Sequence, residues 1–134
     1  MTLIGEHWQD DQGKTLEYWR IEKADSVIIL PIQGDRILLP HPHYRPGVGQ
    51  VTLDFPGGRV PSGSSTTDAA IMTLQRELGI DAADINHLSP LNHEGWAVNS
   101  SFSSQKLYGF VADINKNKEL LPEFLAAHYP INPA

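Results

Sequence analysis

The chain has 134 residues, 40% of them hydrophobic, and a formal net charge of −6, which suits one domain with a real core and disfavours a nucleic-acid-binding face, since that needs clustered Lys and Arg. It has no cysteine, so disulfides and zinc–thiolate sites are excluded. No apolar run reaches the ~18 residues of a membrane span, and no basic segment followed by an apolar run marks a signal peptide, so a cytoplasmic location without membrane partners is expected.

Asp10-Asp11-Gln12-Gly13 reads as a turn between two short strands, the second from Thr15 to Glu22, giving an N-terminal hairpin over residues 1–24. Trp8, Tyr18 and Trp19 load this hairpin with aromatic surface. The structural reading packs two of them on the sheet; the functional one stacks Trp8 or Trp19 on a base or sets it against a second subunit. Val27-Ile28-Ile29-Leu30 marks a buried central strand over Ser26 to Ile32. Gln33-Gly34-Asp35 is a turn, with the return strand at Arg36 to Leu39. A proline-rich loop from Pro40 to Gly49 carries Arg45, which is either a surface cation or a bidentate phosphate contact. The same loop holds His41 and His43, a pair whose metal reading lacks a visible third ligand.

After a short strand from Gln50 to Asp54, the chain reads Phe55-Pro56-Gly57-Gly58-Arg59-Val60-Pro61-Ser62-Gly63, then a helix ending Leu74-Gln75-Arg76-Glu77-Leu78-Gly79-Ile80. Glycines 57, 58 and 63 suit positive φ and close approach of a ligand. A loop that hands over to a helix N-terminus is also a place where backbone N–H groups meet phosphate, although a plain strand-to-helix turn has the same spacing. Thr66 or Thr67 is the expected cap, Ile71, Leu74 and Leu78 the buried stripe, and Gly79 the C′ residue.

At these residues the sequence resembles the Nudix box of the Nudix hydrolases, most closely the ADP-ribose pyrophosphatase branch, over residues 58–80. The pattern lays onto Gly58 to Ile80 without a gap. Its first glutamate falls on Ser64, its Arg-Glu pair on Met72-Thr73 and its Glu-Glu pair on Arg76-Glu77, so Glu77 is the one retained charged signature residue and the box is degenerate. Positions 73, 76 and 77 are about a turn apart and would face one ion together. Mg²⁺ wants oxygen ligands in near-octahedral geometry. A hydroxyl, a guanidinium and one carboxylate at these positions imply weak Mg²⁺ binding or none. Tyr44-Arg45-Pro46 resembles a substrate-side motif of the same branch. Ser100 to Ala112 resembles its loop and strand after the box, where Gln105 stands at the place of a glutamate that serves water. A glutamine cannot act as a general base.

The resemblance implies a Nudix fold of the α/β (α+β) class, a mixed β-sheet sandwiched between helices with an N-terminal β-hairpin, as a single domain over residues 1–134. It also implies a homodimer built partly by that hairpin. Ligand contacts are expected from Trp19, Arg45, Gly57, Gly58 and Arg59, with Glu77 the candidate catalytic and metal carboxylate and Glu94 a spare one on the loop His93 to Trp96. His87 to Asn92 is expected to be a strand. In place of a further strand and long final helix, the sequence offers a short helix near Pro122 to His128, with Phe124 and Leu125 inward. Three functions stay open. One is a nucleotide-sugar-type binding cleft with little or no Mg²⁺-dependent hydrolysis. Another is a working hydrolase of a nucleoside diphosphate linked to another moiety, using Glu77 with Glu94 or another carboxylate. The third is a structural or interaction domain.

Overall fold

A computed structural model describes the backbone of residues 1–130 and the side chains of residues 1–124. The N-terminal hairpin pairs β1 (Thr2–Gln9) with β2 (Thr15–Glu22). Its turn is closed by Asp10, whose carboxylate accepts from the backbone N–H groups of Gln12 and Lys14 at 2.9 and 2.8 Å, while Gly13 takes φ 77°. The hairpin forms its own two-stranded sheet. It is tied to the body where Ile21 N–H donates to the Phe102 carbonyl at 2.6 Å and Ser104 N–H to the Ile21 carbonyl at 3.0 Å. Trp8, Tyr18 and Trp19 are all exposed. This corrects the expectation that two of them pack away: a two-stranded sheet has no second layer to bury them.

The body is a seven-stranded sheet. Its path runs β11 (Leu125–Pro130), β4 (Arg36–Pro40), β3 (Ser26–Gln33), β10 (Lys106–Ile114) and β8 (Ile85–Pro90). β3 pairs parallel with β10 on one side. On the other it is shared antiparallel by β7 (Gly57–Arg59) at residues 26–28 and β4 at residues 32–33. β9 (Trp96–Ala97) extends the far side of β10. β5 (His43–Arg45) and β6 (Gln50–Thr52) make a small separate hairpin. The central position of β3 matches its apolar run, and its register sends Val27, Ile29 and Pro31 fully into the core.

One helix, α1 (Thr66–Leu78), packs on the sheet. Ala69, Ala70, Thr73, Leu74 and Leu78 are its buried residues, closing the core with Val27, Ile29, Leu38, Phe110 and Ile114. The buried stripe is turned toward Ala70 and Thr73, so Ile71 is only half-buried. Ser65, not Thr66 or Thr67, is the N-cap, and its hydroxyl accepts from Asp68 N–H at 3.0 Å. Gly79 closes the helix at φ 65°, as its C′ position requires.

Two further expectations are corrected. Among the described residues α1 is the sole α-helix, so the mixed sheet is not sandwiched between helices. Residues 125–130 form β11, antiparallel to β4, rather than continuing a helix from Pro122. The open edge of β4 offers a row of backbone partners, and that pairing outweighs local helix preference. The expected inward orientation of Leu125 falls outside the described side chains, as residues 131–134 fall outside the described backbone. No helix among the described residues is long and apolar enough to cross a membrane.

Candidate ligand cleft

A cleft of about 610 Å³ opens where β3, β7 and the loop around β5 and β6 meet. Three cations line it, Lys23, Arg45 and Arg59, against one carboxylate, Asp54. On a chain of net charge −6, this is a local reversal of sign, and low-dielectric walls focus such a field onto an anion. Arg45 Nε pairs with Asp54 Oδ2 at 3.2 Å. The hydroxyl of Thr52 donates to the same oxygen at 2.6 Å. That hydrogen bond is the main cause holding the Asp54 carboxyl below its ordinary range; burial opposes it, and Arg45 adds to it.

Gly57 and Gly58 form the wall of the cleft as part of β7. Neither takes positive φ, unlike Gly63 at 81°. This corrects one expected role for the pair. Glycine is required here by crowding: a Cβ on Gly58 would overlap the Thr73 hydroxyl and come within 2.8 Å of Arg76 Nη2. The box helix thus lies directly against the glycine strand.

The helix face carries three different groups. Thr73 is buried and its hydroxyl donates back to the Ala69 carbonyl at 2.7 Å. Arg76 is exposed, and its Nη2 donates to the Gly57 carbonyl at 3.3 Å. Glu77 is half-buried between His43 and Arg76, with Oε2 3.5 Å from His43 Nε2 and Oε1 3.6 Å from Arg76 Nε. His41 turns away from His43 and contacts the Pro122 carbonyl at 2.9 Å, so the two histidines do not converge. Among the described residues no group of three or more His, Cys, Asp or Glu side chains is placed to hold a metal ion.

Of the residues expected at the site, Arg45, Gly57, Gly58 and Arg59 come together in the cleft. Glu77 lies behind its wall, joined to it through Arg76 and the Gly57 carbonyl. Trp19 does not line the cleft. Its ring covers Gly5 on the N-terminal hairpin, and its Nε1–H donates to Glu17 at 3.1 Å. Glu94 is exposed on the loop between β8 and β9 and does not line the cleft either. Gln105 is close by: its amide donates to the hydroxyl of Ser26, a cleft residue, at 2.6 Å. Lys23 was missed from the sequence. It follows the second hairpin strand as an ordinary exposed lysine, and no local pattern marks it.

A second hollow, of about 390 Å³, lies on the N-terminal hairpin between Trp8, Leu16, Tyr18, Glu6 and Arg20. These residues share one face of the β1–β2 register. It is a mostly apolar surface groove and holds none of the groups of the cationic cleft.

No protein-family model matches the chain. It is 35% identical over 83 residues to an uncharacterized Nudix hydrolase of Schizosaccharomyces pombe, an alignment that covers 54% of this chain and 40% of that protein. It is 29% identical over 117 residues to the ADP compounds hydrolase NudE of Escherichia coli, covering 87% of this chain and 57% of NudE. The chain therefore spans about half the length of the curated relatives it matches. A crystal structure of an ADP compounds hydrolase superposes with a TM-score of 0.71 at 23% identity, over 96% of this chain and 70% of that one, a likeness of fold. By sequence the chain is thus similar to a Nudix hydrolase and distantly to NudE, and by fold it resembles an ADP compounds hydrolase.

Proposed function

We propose that this chain binds an ADP compound, a nucleoside diphosphate joined to a second moiety, in the cationic cleft and hydrolyses it slowly or not at all. The observation that carries the binding half is the gathering of Lys23, Arg45 and Arg59 around the Gly57-Gly58 strand. Guanidinium groups match phosphate oxygens in pairs, and a lysine adds a point charge. Lys23 and Arg59 make no side-chain hydrogen bond or ion pair among the described residues, so both are open to a ligand. The similarity to NudE, an ADP compounds hydrolase, suggests the ligand class.

The catalytic half rests on the donor set. A Mg²⁺ ion at the box would need several hard oxygen ligands. The helix face offers Glu77, already held by His43 and Arg76, and a Thr73 hydroxyl turned to its own backbone. These residues do not fit the ion, and we read the box as degenerate. Gln105, hydrogen-bonded to Ser26, supplies no base for water. Glu94, exposed and outside the cleft lining, gives the working-hydrolase reading no support.

The test is AMP release from ADP-ribose with Mg²⁺ at high protein concentration, beside Glu77→Ala, together with calorimetric binding of ADP-ribose. Binding with no turnover above the control is expected. Turnover that vanishes in Glu77→Ala would mean that Glu77 and other carboxylates rebuild a metal site, and the catalytic half of the reading would fall.

A further inference from the structure

We infer that the moiety joined to the diphosphate is a hydrocarbon group, held in an apolar hollow that continues the cationic cleft along the same face of the sheet. This deepens the ADP-compound reading of the cleft and rests on it. The two spaces are joined through β7 and β3. Side chains alternate between the two faces along a strand. Pro56 is fully buried and Gly58 lies against Thr73 of the helix. Phe55, Gly57 and Arg59 therefore share the face opposite the helix, where Phe55 is exposed. Arg59 pairs with Ser26 and Gly57 with Ile28. The Ile29 N–H donates to the Pro56 carbonyl at 2.9 Å, which carries the contact past the end of β7 and brings Phe55 alongside Leu30. Val27 and Ile29 are buried on the helix side, so Ser26, Ile28 and Leu30 lie on the same face as Arg59 and Phe55.

Arg59 and Phe55 are four residues apart, roughly 13 Å of extended chain. The chemistry changes over that distance. The Arg59 end belongs to the cationic cleft. At the Phe55 end lies a hollow of about 200 Å³, lined by Ile28, Ile29, Leu30, Phe55, Leu91 and Phe110. Ile28 and Phe55 line the cleft as well, so the two spaces adjoin there. Leu91 is set on this face by Gly109, the strand partner of Ile28: a Cβ on Gly109 would come within 3.2 Å of Leu91 Cδ1. Every side chain lining the hollow is hydrocarbon. The backbone N–H groups of Ile29 and Leu91 already donate to the carbonyls of Pro56 and Gly109 at 2.9 and 2.8 Å. A sugar lodged here would leave its hydroxyls unpaired, which is unfavourable. A ring or an alkyl chain would bury apolar surface without that penalty. The order of the two spaces suits a molecule with a charged diphosphate and an apolar end. No bond is made or broken in this scheme.

The experiment measures the affinities of ADP, ADP-ribose and the β-hexyl and β-benzyl esters of ADP by calorimetry on the whole chain, for the wild type, Arg59→Ala, Leu91→Asn and Leu91→Met. At least one ester is expected to bind the wild type about tenfold or more tightly than ADP-ribose, on the scale of burying two methylene groups. The two esters tell a ring from a chain. Leu91→Asn should bring that ester to within about threefold of ADP, and Leu91→Met should keep its advantage. Arg59→Ala should weaken ADP and the ester alike. Leu91 is exposed, and thermal melts verify that the variants fold; the wild-type comparison of esters with ADP-ribose decides by itself if one does not. Esters that bind no more tightly than ADP-ribose, or an advantage that survives in folded Leu91→Asn, would overturn the inference while leaving the ADP-compound reading intact. Absence of binding by all four compounds would overturn that reading, and the inference with it.

Discussion

Gly58 and Thr73 are packed so closely that a single added methyl group at residue 58 would overlap the Thr73 hydroxyl. Thr73 cannot swing aside cheaply, because it is buried, β-branched and hydrogen-bonded to Ala69. Gly58→Ala should therefore destabilise the chain by about 1–3 kcal/mol, the usual cost of overpacking. Urea denaturation checks this, and a midpoint equal to wild type would show that β7 and α1 separate more easily than their contact implies.

The box helix supplies a second prediction. Ser65→Ala removes the acceptor for Asp68 N–H and should cost about 0.5–2 kcal/mol. Thr66→Ala and Thr67→Ala, which lie inside the helix, should change stability by less than about 0.5 kcal/mol. The three variants need only be compared in one denaturant series. A larger loss at Thr66 or Thr67 would return the cap to where the sequence alone suggests it.

Asp54 should titrate below the ordinary aspartate value of about 3.9, because Thr52 and Arg45 both favour its charged form. A depressed folded-state value contributes stability above the unfolded value, and that contribution is lost as pH falls through the folded one. The site is 46% exposed at Asp54, so the effect on global stability is expected within about 1 kcal/mol. The direct check is an NMR titration of the carboxyl carbon. Thr52→Val should move the midpoint upward; no movement would remove Thr52 as its main cause.

Restoring carboxylates should restore metal affinity. Ser64→Glu, Thr73→Glu and Arg76→Glu together are expected to bind Mg²⁺ more tightly than the wild type in calorimetry. Thr73 is buried, so a melting curve must first verify that this variant folds. On the proposed reading of the box as metal-free, Gln105→Glu alone should leave ADP-ribose turnover unchanged. Unchanged Mg²⁺ affinity in the folded triple variant would sink the account of why these positions exclude the ion.

How much of this was legible in the residues depends on how local the cause was. The run Val27 to Leu30, the C′ glycine at 79 and the Asp10–Gly13 turn act through near neighbours, and each reappears in the structure. β11 was not legible. Leu125-Ala126-Ala127 suits a helix by propensity, and what sets it straight is the edge of β4, some ninety residues earlier. The cleft was half legible. Arg45, Gly57, Gly58 and Arg59 sit in a motif, whereas Lys23 joins them because the hairpin is tied at Ser104 and Phe102. The grip of Arg76 on the Gly57 carbonyl depends on the crowding that makes Gly58 indispensable, and a sequence records the glycine without the neighbour that demands it.

The parallel pairing of β3 with β10 joins residues that lie roughly eighty apart in the chain. During synthesis β3 must wait, with one of its two edges unpaired, until β10 has left the ribosome. Such delayed, long-range pairing slows folding and exposes a strand edge to neighbouring chains. A nascent chain stalled before Lys106 would lack the parallel partner of its central strand, and helper proteins that shield nascent apolar strands should find a target along that open edge of Val27 to Leu30.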